Sequence, residues 1–559
     1  MSKKLPIGIS DFKELIDTGC YYVDKTLLVQ EIIEKGTKVA LIPRSRRFGK
    51  TLNLSMLRYF FEKSDEDRSY LFKDLKIWKE EKYRVTQGKS PVIFITFKDI
   101  KHSTWESAFE HFQRLLSTEF GRHRYLLEGN ILSAEEKEDY RAILQKKGSQ
   151  VLYENSLMLL IKWMFFYHKQ PIVLLVDEYD APAHSAYVDN YYKPLIEFLR
   201  NLLSGCLKDS SYLKNGILTG ILRIAKESIF SGLNNVSPFT ILNEAFSDKF
   251  GLLESEVSEL LEYYGLTEKL PACREWYDGY RVGSCTGIYN PWSVLKCIAE
   301  NGTLSPYWVN TSDNALMKQL ITKSGGNLKV DIEELLKGGV IEKRIEEGII
   351  FPELDRGTST IWSLLLYSGY LTLDDTPVYG IPCRLKIPNV EVRELYQSMV
   401  LEWFDKSIDE GQYHMLLDSL ISGDIDTFSS IFQHFMISAF SVFDIPFEES
   451  EKIYHAFVLG MLVGLKGKYD IKSNRESGFG RYDVMLLPKN SLDLGIIMEF
   501  KKSEENEGKN LEKVAKSAIK QIEKKRYEQE LFDRGVTRIL YLGFAFGSKK
   551  VVILHKFKK

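Results

Sequence analysis

The 559 residues carry a formal net charge of −2, with 44% hydrophobic and 27% charged residues, and the length suits about three globular domains. The balanced charge excludes a globally basic nucleic-acid-binding protein, so any such face must be a local patch. No apolar stretch approaches the ~18 residues that span a bilayer, no signal-peptide core opens the chain, and the six cysteines form no C-x-x-C pair. We therefore expect a cytoplasmic protein with reduced thiols, no membrane partner and no zinc site.

A predicted strand and helix enclose the most informative stretch of the N-terminal half. The apolar run at 39–42 predicts a buried strand, and the spacing from Thr51 onward predicts a helix. Between them, Gly49 and Lys50 complete the order of a phosphate-binding loop, in which backbone N–H groups at a helix start meet anionic oxygens. We expect Lys50 to reach the β- and γ-phosphates of ATP and the Thr51 hydroxyl to help hold Mg²⁺. Arg44 stands where the first glycine of such a loop falls, so a basic turn before a helix is the alternative.

A second apolar run, at 172–176, ends in Asp177 and Glu178. Such a run predicts a strand buried on both faces of a parallel sheet, with its carboxylates at the edge where these sheets bind ligands. Asp177 is expected to hold the Mg²⁺ shell through water, and Glu178 to act as the base that polarises the attacking water. Together with the loop, the pair predicts nucleotide binding, and less strongly hydrolysis.

Further elements extend this predicted sheet. A strand at 91–97 falls between the loop and the carboxylate pair in sequence, as in the P-loop class with an extra strand between those two, and a strand at 216–223 is expected beside the carboxylate strand. Thr219 and Arg223, polar residues at its end, are candidates to sense the γ-phosphate, and Arg223 is alternatively an interdomain salt bridge. Upstream, a predicted helix pair between 12 and 35 either flanks the nucleotide base or is structural.

Several long segments carry a resemblance to a known family. They are residues 5–26, 43–57, 176–182 and 219–235. They strongly resemble the bacterial AAA-ATPase-like family, whose members commonly carry a C-terminal nuclease-like domain of the PD-(D/E)XK superfamily, and the resemblance covers nearly the whole chain. The loop of that family reads R-P-R-R-F-G-K-[ST], so Arg44 is a family trait, while Ser45 replaces the usual proline. The resemblance implies that the loop residues ahead of Gly49 also bind the nucleotide: Arg44, Arg46, Arg47 and Phe48. Arg46 and Arg47 are equally candidates to act on a neighbouring copy, which leaves a homo-oligomer open.

The middle region, residues 236–440, shows helical patterns interrupted by aromatic clusters at 276–281, 289–293 and 307–310. Because these clusters contain Gly or Pro, we expect turns packed between helices as core and interdomain contacts. Residues 336–371, followed by a predicted hairpin, resemble a winged-helix-like lid in position.

The C-terminal region carries a second candidate site. Asp483 begins one predicted strand, and Glu499 and Lys501 lie two residues apart on the next, so both project from one face toward Asp483. Two carboxylates and a lysine outline a hydrolytic metal site, in which Asp483 and Glu499 bind Mg²⁺ with a phosphate oxygen and Lys501 orients or activates the water. Upstream, Glu451 is a candidate further metal ligand, one helical turn from His455, which is alternatively a packed core histidine.

A basic helix at 518–527 follows these strands, matching in position the helix after the core of the PD-(D/E)XK superfamily. We expect Gln521 and Tyr527 to face the site and the lysines to meet phosphates. A surface hairpin with an Asp-Glu-Lys ion-pair network is the alternative, and a nuclease fold retained only for binding is another.

The sequence thus predicts an α/β protein in three parts. They are a P-loop NTPase parallel sheet at 1–235, a helical middle or lid region with a winged-helix-like module at 236–440, and a restriction-endonuclease-like domain at 441–559. The favoured function is an ATP-dependent, Mg²⁺-dependent nuclease acting on nucleic acid, with DNA expected. The alternative is a nucleotide-controlled switch or binding protein with little or no nuclease activity.

Overall fold

The structure, a computed structural model, describes most of the chain. The described residues are 3–208, 210–224, 235–308, 326–336, 338–348, 351, 358–405, 410–441, 458, 461–465, 467–477, 480–502, 508–547 and 550–558. The chain forms two compact units, an N-terminal unit of Met1–Leu316 with Glu342–Val392 and a C-terminal unit of Met317–Ile341 with Arg393–Lys559. The three-part division with boundaries at 235 and 440 stays a prediction.

The helices and strands occupy the following ranges. The helices are α1 (Phe12–Asp17), α2 (Leu27–Lys35), α3 (Lys50–Phe61), α4 (Glu81–Arg84), α5 (Trp105–Arg122), α6 (Ala134–Leu144), α7 (Gln150–His168), α8 (Ala181–Val188), α9 (Tyr192–Leu207), α10 (Glu254–Tyr263), α11 (Leu270–Tyr277), α12 (Pro291–Ala299), α13 (Gly326–Leu336), α14 (Thr358–Ser368), α15 (Val390–Asp405), α16 (Glu410–Ser422), α17 (Ile425–Ser441), α18 (Gly508–Lys525) and α19 (Gln529–Asp533). The strands are β1 (Val39–Pro43), β2 (Val92–Thr96), β3 (Ile172–Asp177), β4 (Leu213–Gly220), β5 (Val236–Pro238), β6 (Leu252–Leu253), β7 (Tyr280–Val282), β8 (Cys285–Tyr289), β9 (Ile341–Lys343), β10 (Thr372–Leu373), β11 (Cys383–Lys386), β12 (Tyr469–Ser477), β13 (Gly480–Pro488), β14 (Gly495–Lys502), β15 (Ile539–Phe546) and β16 (Val551–Lys558).

The N-terminal unit is built on a five-stranded parallel sheet with the order β2-β3-β4-β1-β5. β1 and β3 are buried along their whole length, which explains their uninterrupted apolar runs. β4 lies between them, since its Ile217 pairs with Ala40 on one side and Leu175 on the other. The predicted strand at 216–223 therefore does lie beside the carboxylate strand.

The predicted strand at 91–97 takes a different place from the one that its position in the sequence suggests. It forms β2, at the edge of the sheet, where Thr96 pairs with Asp177 of β3. In space, β4 and not β2 separates the loop strand from the carboxylate strand. Parallel neighbours are set by long crossover connections, so sequence order does not determine sheet order.

The register of this sheet brings the candidate residues to one edge. Pro43 pairs with Gly220, and Ile42 pairs with Thr219, so β1 and β4 end together. Thr96 and Asp177 end β2 and β3 at the same side, because all these strands are parallel. The carboxyl edge of a parallel sheet is where such folds bind ligands.

The rest of the N-terminal unit includes the small sheet β6-β8-β7 and a helix-then-hairpin segment. α10, α11 and α12 pack their apolar faces against this sheet, with Tyr277 and Tyr289 in the shared core. α14 is followed by the antiparallel pair β10 and β11, in the order expected for the 336–371 region and its hairpin. Because Tyr277 and Tyr289 lie in the core shared by the small sheet and its helices, the aromatic clusters at 276–281 and 289–293 are largely packing elements, as predicted.

The C-terminal unit contains a mixed five-stranded sheet with the order β12-β13-β14-β15-β16. Only β14 and β15 run parallel, and the other neighbours are antiparallel. One face of the sheet packs against residues of α16 and α17, such as Tyr413 and Phe428, and the other face packs against α18 through Ile519 and Ile522. The last helices of the predicted middle region thus complete the core of this C-terminal sheet.

Two chain-wide features follow from the fold. Within the part of the chain that the structure describes, none of the helices combines the length and apolar character that a membrane crossing requires. All six cysteines are free thiols.

Candidate nucleotide and metal sites

The phosphate-binding loop lies between β1 and α3. Gly49 has φ 80° and forms the N-cap of α3, a conformation that favours glycine. Lys50 is only 5% exposed, and its Nζ donates to the carbonyl oxygens of Arg44 and Ser45, both at 2.9 Å. Burial lowers the pKa of this lysine, while Glu178 and Asp177 favour its charged form. Lys50 therefore braces the first half of the loop, and a phosphate has to replace these carbonyls as its acceptor.

Asp177 is fully buried and collects three hydroxyl groups. Its Oδ2 accepts from Thr51 Oγ1 at 2.8 Å and from Thr96 Oγ1 at 3.5 Å, and its Oδ1 accepts from Thr219 Oγ1 at 2.8 Å. The structure thus joins directly the two residues predicted to serve Mg²⁺, Thr51 and Asp177. It adds Thr96, which sequence reasoning missed although a polar residue ending the neighbouring strand was a usable signal. Thr219, a candidate to sense the γ-phosphate, uses its hydroxyl to donate to Asp177.

Glu178 follows the buried strand in an uncommon backbone conformation. Its φ is 49°, in the left-handed region that non-glycine residues rarely adopt and that often occurs at functional sites. Its charge acts on both Lys50 and Arg47, whose charged forms it favours. Glu178 therefore lies close enough to Lys50 and Arg47 to act on their charges, and its role as the base stays a prediction.

Asp180, the last acid of Asp-Glu-Tyr-Asp, had no role in the sequence analysis. It is 5% exposed, and its Oδ2 accepts from the backbone N–H groups of Ile221 at 3.0 Å and Leu222 at 2.7 Å. Burial raises its pKa to about 6, against the lowering effect of these amides and of Lys50. The sequence did offer a signal for Asp180, since it is a third acidic residue close behind Asp177 and Glu178.

Arg44 does not occupy the place expected of a nucleotide ligand. Its side chain is buried and donates to four backbone carbonyls, those of Pro43 at 2.8 Å, Phe239 at 2.7 Å, Ala245 at 3.3 Å and Phe246 at 3.1 Å. Burial lowers the pKa of the guanidinium to about 9. Both terminal nitrogens are thus committed to the backbone. Arg44 fastens the segment after β5 to the loop, and its contacts support a structural role.

The other loop residues before Gly49 contact the aromatic turns of the middle region. Arg47, at φ 67°, places its guanidinium 4.5 Å from the ring centre of Trp292. The buried Phe48 packs edge-on against Tyr280 at 5.0 Å. Arg46 is half-buried and close enough to Lys50 and Arg47 to lower the pKa of each. These aromatic turns therefore pack against the nucleotide loop itself.

Arg223 forms a salt bridge. Its Nη1 lies 2.8 Å from Oε2 of Glu347, a residue that also belongs to the N-terminal unit. Arg223 was a candidate γ-phosphate sensor or a salt-bridge residue, and the structure contains a salt bridge.

The helix pair before the loop docks on α3. The carboxylate of Asp11, the N-cap of α1, accepts from Ser55 Oγ at 3.1 Å and Tyr59 Oη at 3.0 Å. Phe12 N–H in turn donates to Ser55 Oγ at 2.9 Å. Because Ser55 and Tyr59 belong to α3, these contacts favour the structural alternative.

The second site lies on one face of β13 and β14. Val484 pairs with Met498, so Asp483 and Glu499 follow next in the antiparallel register. Asp483 Oδ2 accepts from the Phe500 N–H at 2.7 Å, and Lys501 Nζ donates to Gln521 Oε1 at 2.7 Å. The structure thus gathers the three predicted residues on two neighbouring strands, beneath α18, with Asp483 in the first half of β13 and Glu499 and Lys501 in the second half of β14.

Gln521 connects the lysine to the carboxylate. Its amide nitrogen donates to Glu499 Oε1 and, at 3.4 Å, to Tyr527 Oη. Gln521 and Tyr527 therefore lie beside the site, where the sequence analysis expected them. The amide fixes the Lys501 ammonium and the Glu499 carboxylate in one chain of hydrogen bonds.

Glu499 is the most perturbed acid of this site. It is 4% exposed, and its Oε2 has no hydrogen-bond partner among the residues that the structure describes. Burial, and then the charge of Asp483, raise its pKa to about 8. A buried carboxylate oxygen without a donor beside a second acid suits a divalent cation, and hard oxygen ligands suit Mg²⁺. The residues present therefore fit the predicted metal, with Glu499 and Asp483 to hold it.

The predicted further ligand Glu451 and the neighbouring His455 lie outside the described residues. Across the described ranges, no three His, Cys, Asp or Glu side chains gather as a metal cluster. In the described part of the chain, the C-terminal site therefore comprises two carboxylates and a lysine, and a role for Glu451 stays a prediction.

Comparisons with known proteins agree with both geometries. Residues 6–230 match the model of a predicted AAA-ATPase, and residues 449–556 match the PD-(D/E)XK nuclease superfamily. A protein of Azotobacter chroococcum mcd 1, named "Uncharacterized protein in vnfD 5'region", is 27% identical over 574 aligned residues, which cover 98% of each chain. The N-terminal part of the chain is thus similar to a predicted AAA-ATPase domain, and its C-terminal part is similar to the PD-(D/E)XK nuclease superfamily.

Proposed function

We propose that this chain binds and hydrolyses ATP at the loop between β1 and α3 and cleaves nucleic acid at the carboxylate pair of the C-terminal sheet. The observation that carries the proposal is Glu499, a buried carboxylate beside Asp483 and Lys501, with a raised pKa and one oxygen that lacks a hydrogen-bond partner among the described residues. Groups with strongly perturbed pKa values cluster at functional sites.

At the nucleotide site, each residue has a task that its contacts support. Lys50 exchanges its two carbonyl acceptors for the β- and γ-phosphates, which are stronger acceptors. Thr51 and Asp177, already 2.8 Å apart, are the groups to hold Mg²⁺, which neutralises phosphate charge when it is bound. Glu178 takes the proton of the attacking water. Arg46 and Arg47 supply positive charge at the loop.

At the nuclease site, the protein groups act on the water and on the phosphate. Mg²⁺ bound by Asp483 and Glu499 would polarise the phosphate and acidify a water. Lys501 orients that water, since its ammonium is fixed at 2.7 Å by the Gln521 amide. The Phe500 N–H, at 2.7 Å, holds Asp483 in position. The site thus carries the parts that phosphodiester hydrolysis needs.

Lysines on α18 support a nucleic-acid partner. The exposed lysines recur every three or four residues along α18, opposite its buried face: Lys513, Lys516, Lys520 and Lys524. At 1.5 Å per residue this stripe is about 16 Å long. Gln521 lies beside it, so a strand bound along the stripe passes the metal site. Positive charge of this kind binds phosphates without reading sequence.

One experiment tests the proposal at both sites. Plasmid and single-stranded DNA are incubated with Mg²⁺ or Mn²⁺, with and without ATP, using wild type, Lys501→Ala and Lys50→Ala. We expect cleavage in wild type, its loss in Lys501→Ala, and loss of ATP hydrolysis in Lys50→Ala. Lys502→Ala is the matched control for the first, because the next residue of a strand points to the opposite face. Exposed Lys73→Ala is the control for the second.

A second function has one observation in its favour. Arg223 is paired with Glu347 at 2.8 Å, so this candidate sensor is committed elsewhere. A nucleotide-controlled switch that binds ATP with little turnover fits that arrangement. Tight ATP binding without hydrolysis, together with DNA left intact under every metal condition, would select the switch and reject the nuclease.

A further inference from the structure

The two residues after Glu178 are tied to the segment that follows β4. Asp180 Oδ2 accepts the backbone N–H of Ile221 at 3.0 Å and that of Leu222 at 2.7 Å. The Tyr179 hydroxyl donates to the carbonyl of Leu222 at 2.8 Å and accepts the N–H of Ile224 at 2.9 Å. We call this set of four hydrogen bonds the 179–180 latch. It spans about 40 residues of sequence, since each of its bonds joins residues separated by 41 to 45 positions.

The latch requires glycine at position 220. A Cβ atom there would lie 2.2 Å from Asp180 Oδ1 and 2.9 Å from Tyr179 Cδ1. Contacts this short are not tolerated, and both neighbours are buried groups with little room to move. Gly220 thus permits the close approach of the latch to the end of β4.

The same strand end also holds the residues on both sides of Glu178. Thr219 donates through Oγ1 to Asp177 at 2.8 Å, and its carbonyl accepts the N–H of Tyr179 at 3.0 Å. Glu178 is therefore the residue between two fixed points. Its φ of 49° costs energy that the surrounding contacts must offset.

We propose that Asp180 is a positioning residue for hydrolysis, which fixes Glu178 in its left-handed conformation by locking the 177–180 turn onto residues 219–224. The inference rests on the proposed ATP hydrolysis and assigns a role to a residue whose Oδ2 accepts from the backbone N–H groups of Ile221 and Leu222. An acceptor is required at this position, because two buried amides would otherwise lose their partner. The position of Glu178 affects turnover more than nucleotide binding, since the base acts only on the attacking water.

The test compares Asp180→Ala, Asp180→Asn and Gly220→Ala with wild type. ATP turnover and the affinity for a fluorescent ATP analogue are measured separately, and the thermal unfolding midpoint of each variant is recorded. We expect Asp180→Ala and Gly220→Ala to lower kcat about 100-fold, the scale of an ångström-sized misplacement, with nucleotide affinity within about twofold of wild type. Asp180→Asn keeps an oxygen acceptor and should recover most of the turnover. Exposed Asp189→Ala serves as the matched control.

A readout independent of turnover accompanies these assays. Hydrogen exchange of the Ile221 and Leu222 amides should be slow in wild type and Asp180→Asn, and fast in Asp180→Ala, because only the last lacks the acceptor. In the double variant Gly220→Ala/Asp180→Ala the clash with the carboxylate is gone but the contact with Tyr179 remains, so its turnover should be no higher than that of Asp180→Ala.

The outcomes separate the inference from the proposed function. Wild-type turnover in Asp180→Ala, or a loss of nucleotide affinity equal to the loss of kcat, overturns the positioning role alone. A wild type that binds ATP and never hydrolyses it overturns the proposed hydrolysis, and the positioning role falls with it. A kcat loss with intact affinity, recovered by Asp180→Asn, supports the assignment.

Discussion

The two candidate sites differ in whether the protein itself supplies hydrogen-bond partners to their buried charged groups. Asp177 receives three hydroxyl groups, and Lys50 donates to two carbonyls, so the nucleotide site is paired within the protein. At the C-terminal site, Glu499 keeps one oxygen without a hydrogen-bond partner in the described part of the chain, and its pKa is raised to about 8. A paired site can bind a ligand by exchanging partners, whereas an unpaired buried carboxylate is costly until a cation or a proton joins it. The difference indicates that hydrogen bonds within the protein already hold the nucleotide site, whereas ionisation of Glu499 at the C-terminal site is unfavourable without a cation.

The largest expected effect tests the nucleotide frame. Glu178→Gln keeps the size of the side chain and removes its ability to accept a proton, so we expect ATP turnover to fall by about 100-fold or more, the range of general-base catalysis. ATP affinity should stay close to wild type, because Lys50 and Thr51 are untouched. Turnover and nucleotide affinity are measured on the same preparation. Unchanged turnover in this variant would remove Glu178 as the base.

A substitution at Arg44 distinguishes structural support of the loop from binding of the nucleotide. Arg44→Gly restores the glycine that such loops usually carry, and it removes four hydrogen bonds to backbone carbonyls. We expect the free energy of unfolding of the N-terminal unit to fall by about 3 kcal/mol, because buried carbonyls lose their donor. Denaturant unfolding followed by circular dichroism measures it. Tighter ATP binding without loss of stability would contradict the structural role.

The pH dependence of stability sharpens the comparison at Glu499. Its pKa is raised from the ordinary 4.5 to about 8, so the fold prefers the protonated carboxyl. That contribution to stability is fully present below pH 4.5 and is lost as the pH rises through about 8. In EDTA, we expect wild type to lose about 4 kcal/mol relative to Glu499→Gln between pH 5 and pH 9. Urea unfolding at both values checks this.

Added Mg²⁺ should reverse that trend in wild type, because a bound cation favours the ionised carboxylate. Glu499→Gln should respond less to the metal at pH 9. Parallel pH profiles of wild type and variant would show that Glu499 titrates normally and would remove the contrast between the sites.

The smallest expected effect concerns the aromatic turns that pack on the loop. Trp292→Leu keeps an apolar side chain but removes the ring that lies 4.5 Å from the Arg47 guanidinium. We expect a loss of about 0.5–1 kcal/mol in stability, the value of a partly exposed cation–π contact. Thermal unfolding measures it, with Trp276→Leu, a residue packed in the neighbouring helical core, as the control. Equal losses in the two variants would show that the Arg47 contact adds nothing.

The sequence predicted both sites because their chemistry lies in short local patterns. One apolar run leads through a short loop to Gly49-Lys50-Thr51 at the start of a helix, and another ends in Asp177-Glu178. Both sets lie at the carboxyl ends of parallel strands, and these ends meet at one edge of the sheet. Strand alternation placed Glu499 and Lys501 on one face, and the fold agrees. Thr96 and Asp180 escaped because each acts through partners distant in sequence, Asp177 for the first and residues 221–222 for the second.

By itself, the sequence determined the strands, the loop and the identity of the acids and lysines, since these follow from local periodicity and residue chemistry. Only the tertiary structure decided that β4 separates β1 from β3, that Arg44 serves the backbone, and that Arg223 pairs with Glu347. It also decided that Glu499 is buried and that one of its oxygens lacks a partner among the described residues. These properties depend on which distant segments pack together, because packing, not local pattern, sets the burial that raises the pKa of an ordinary carboxylate.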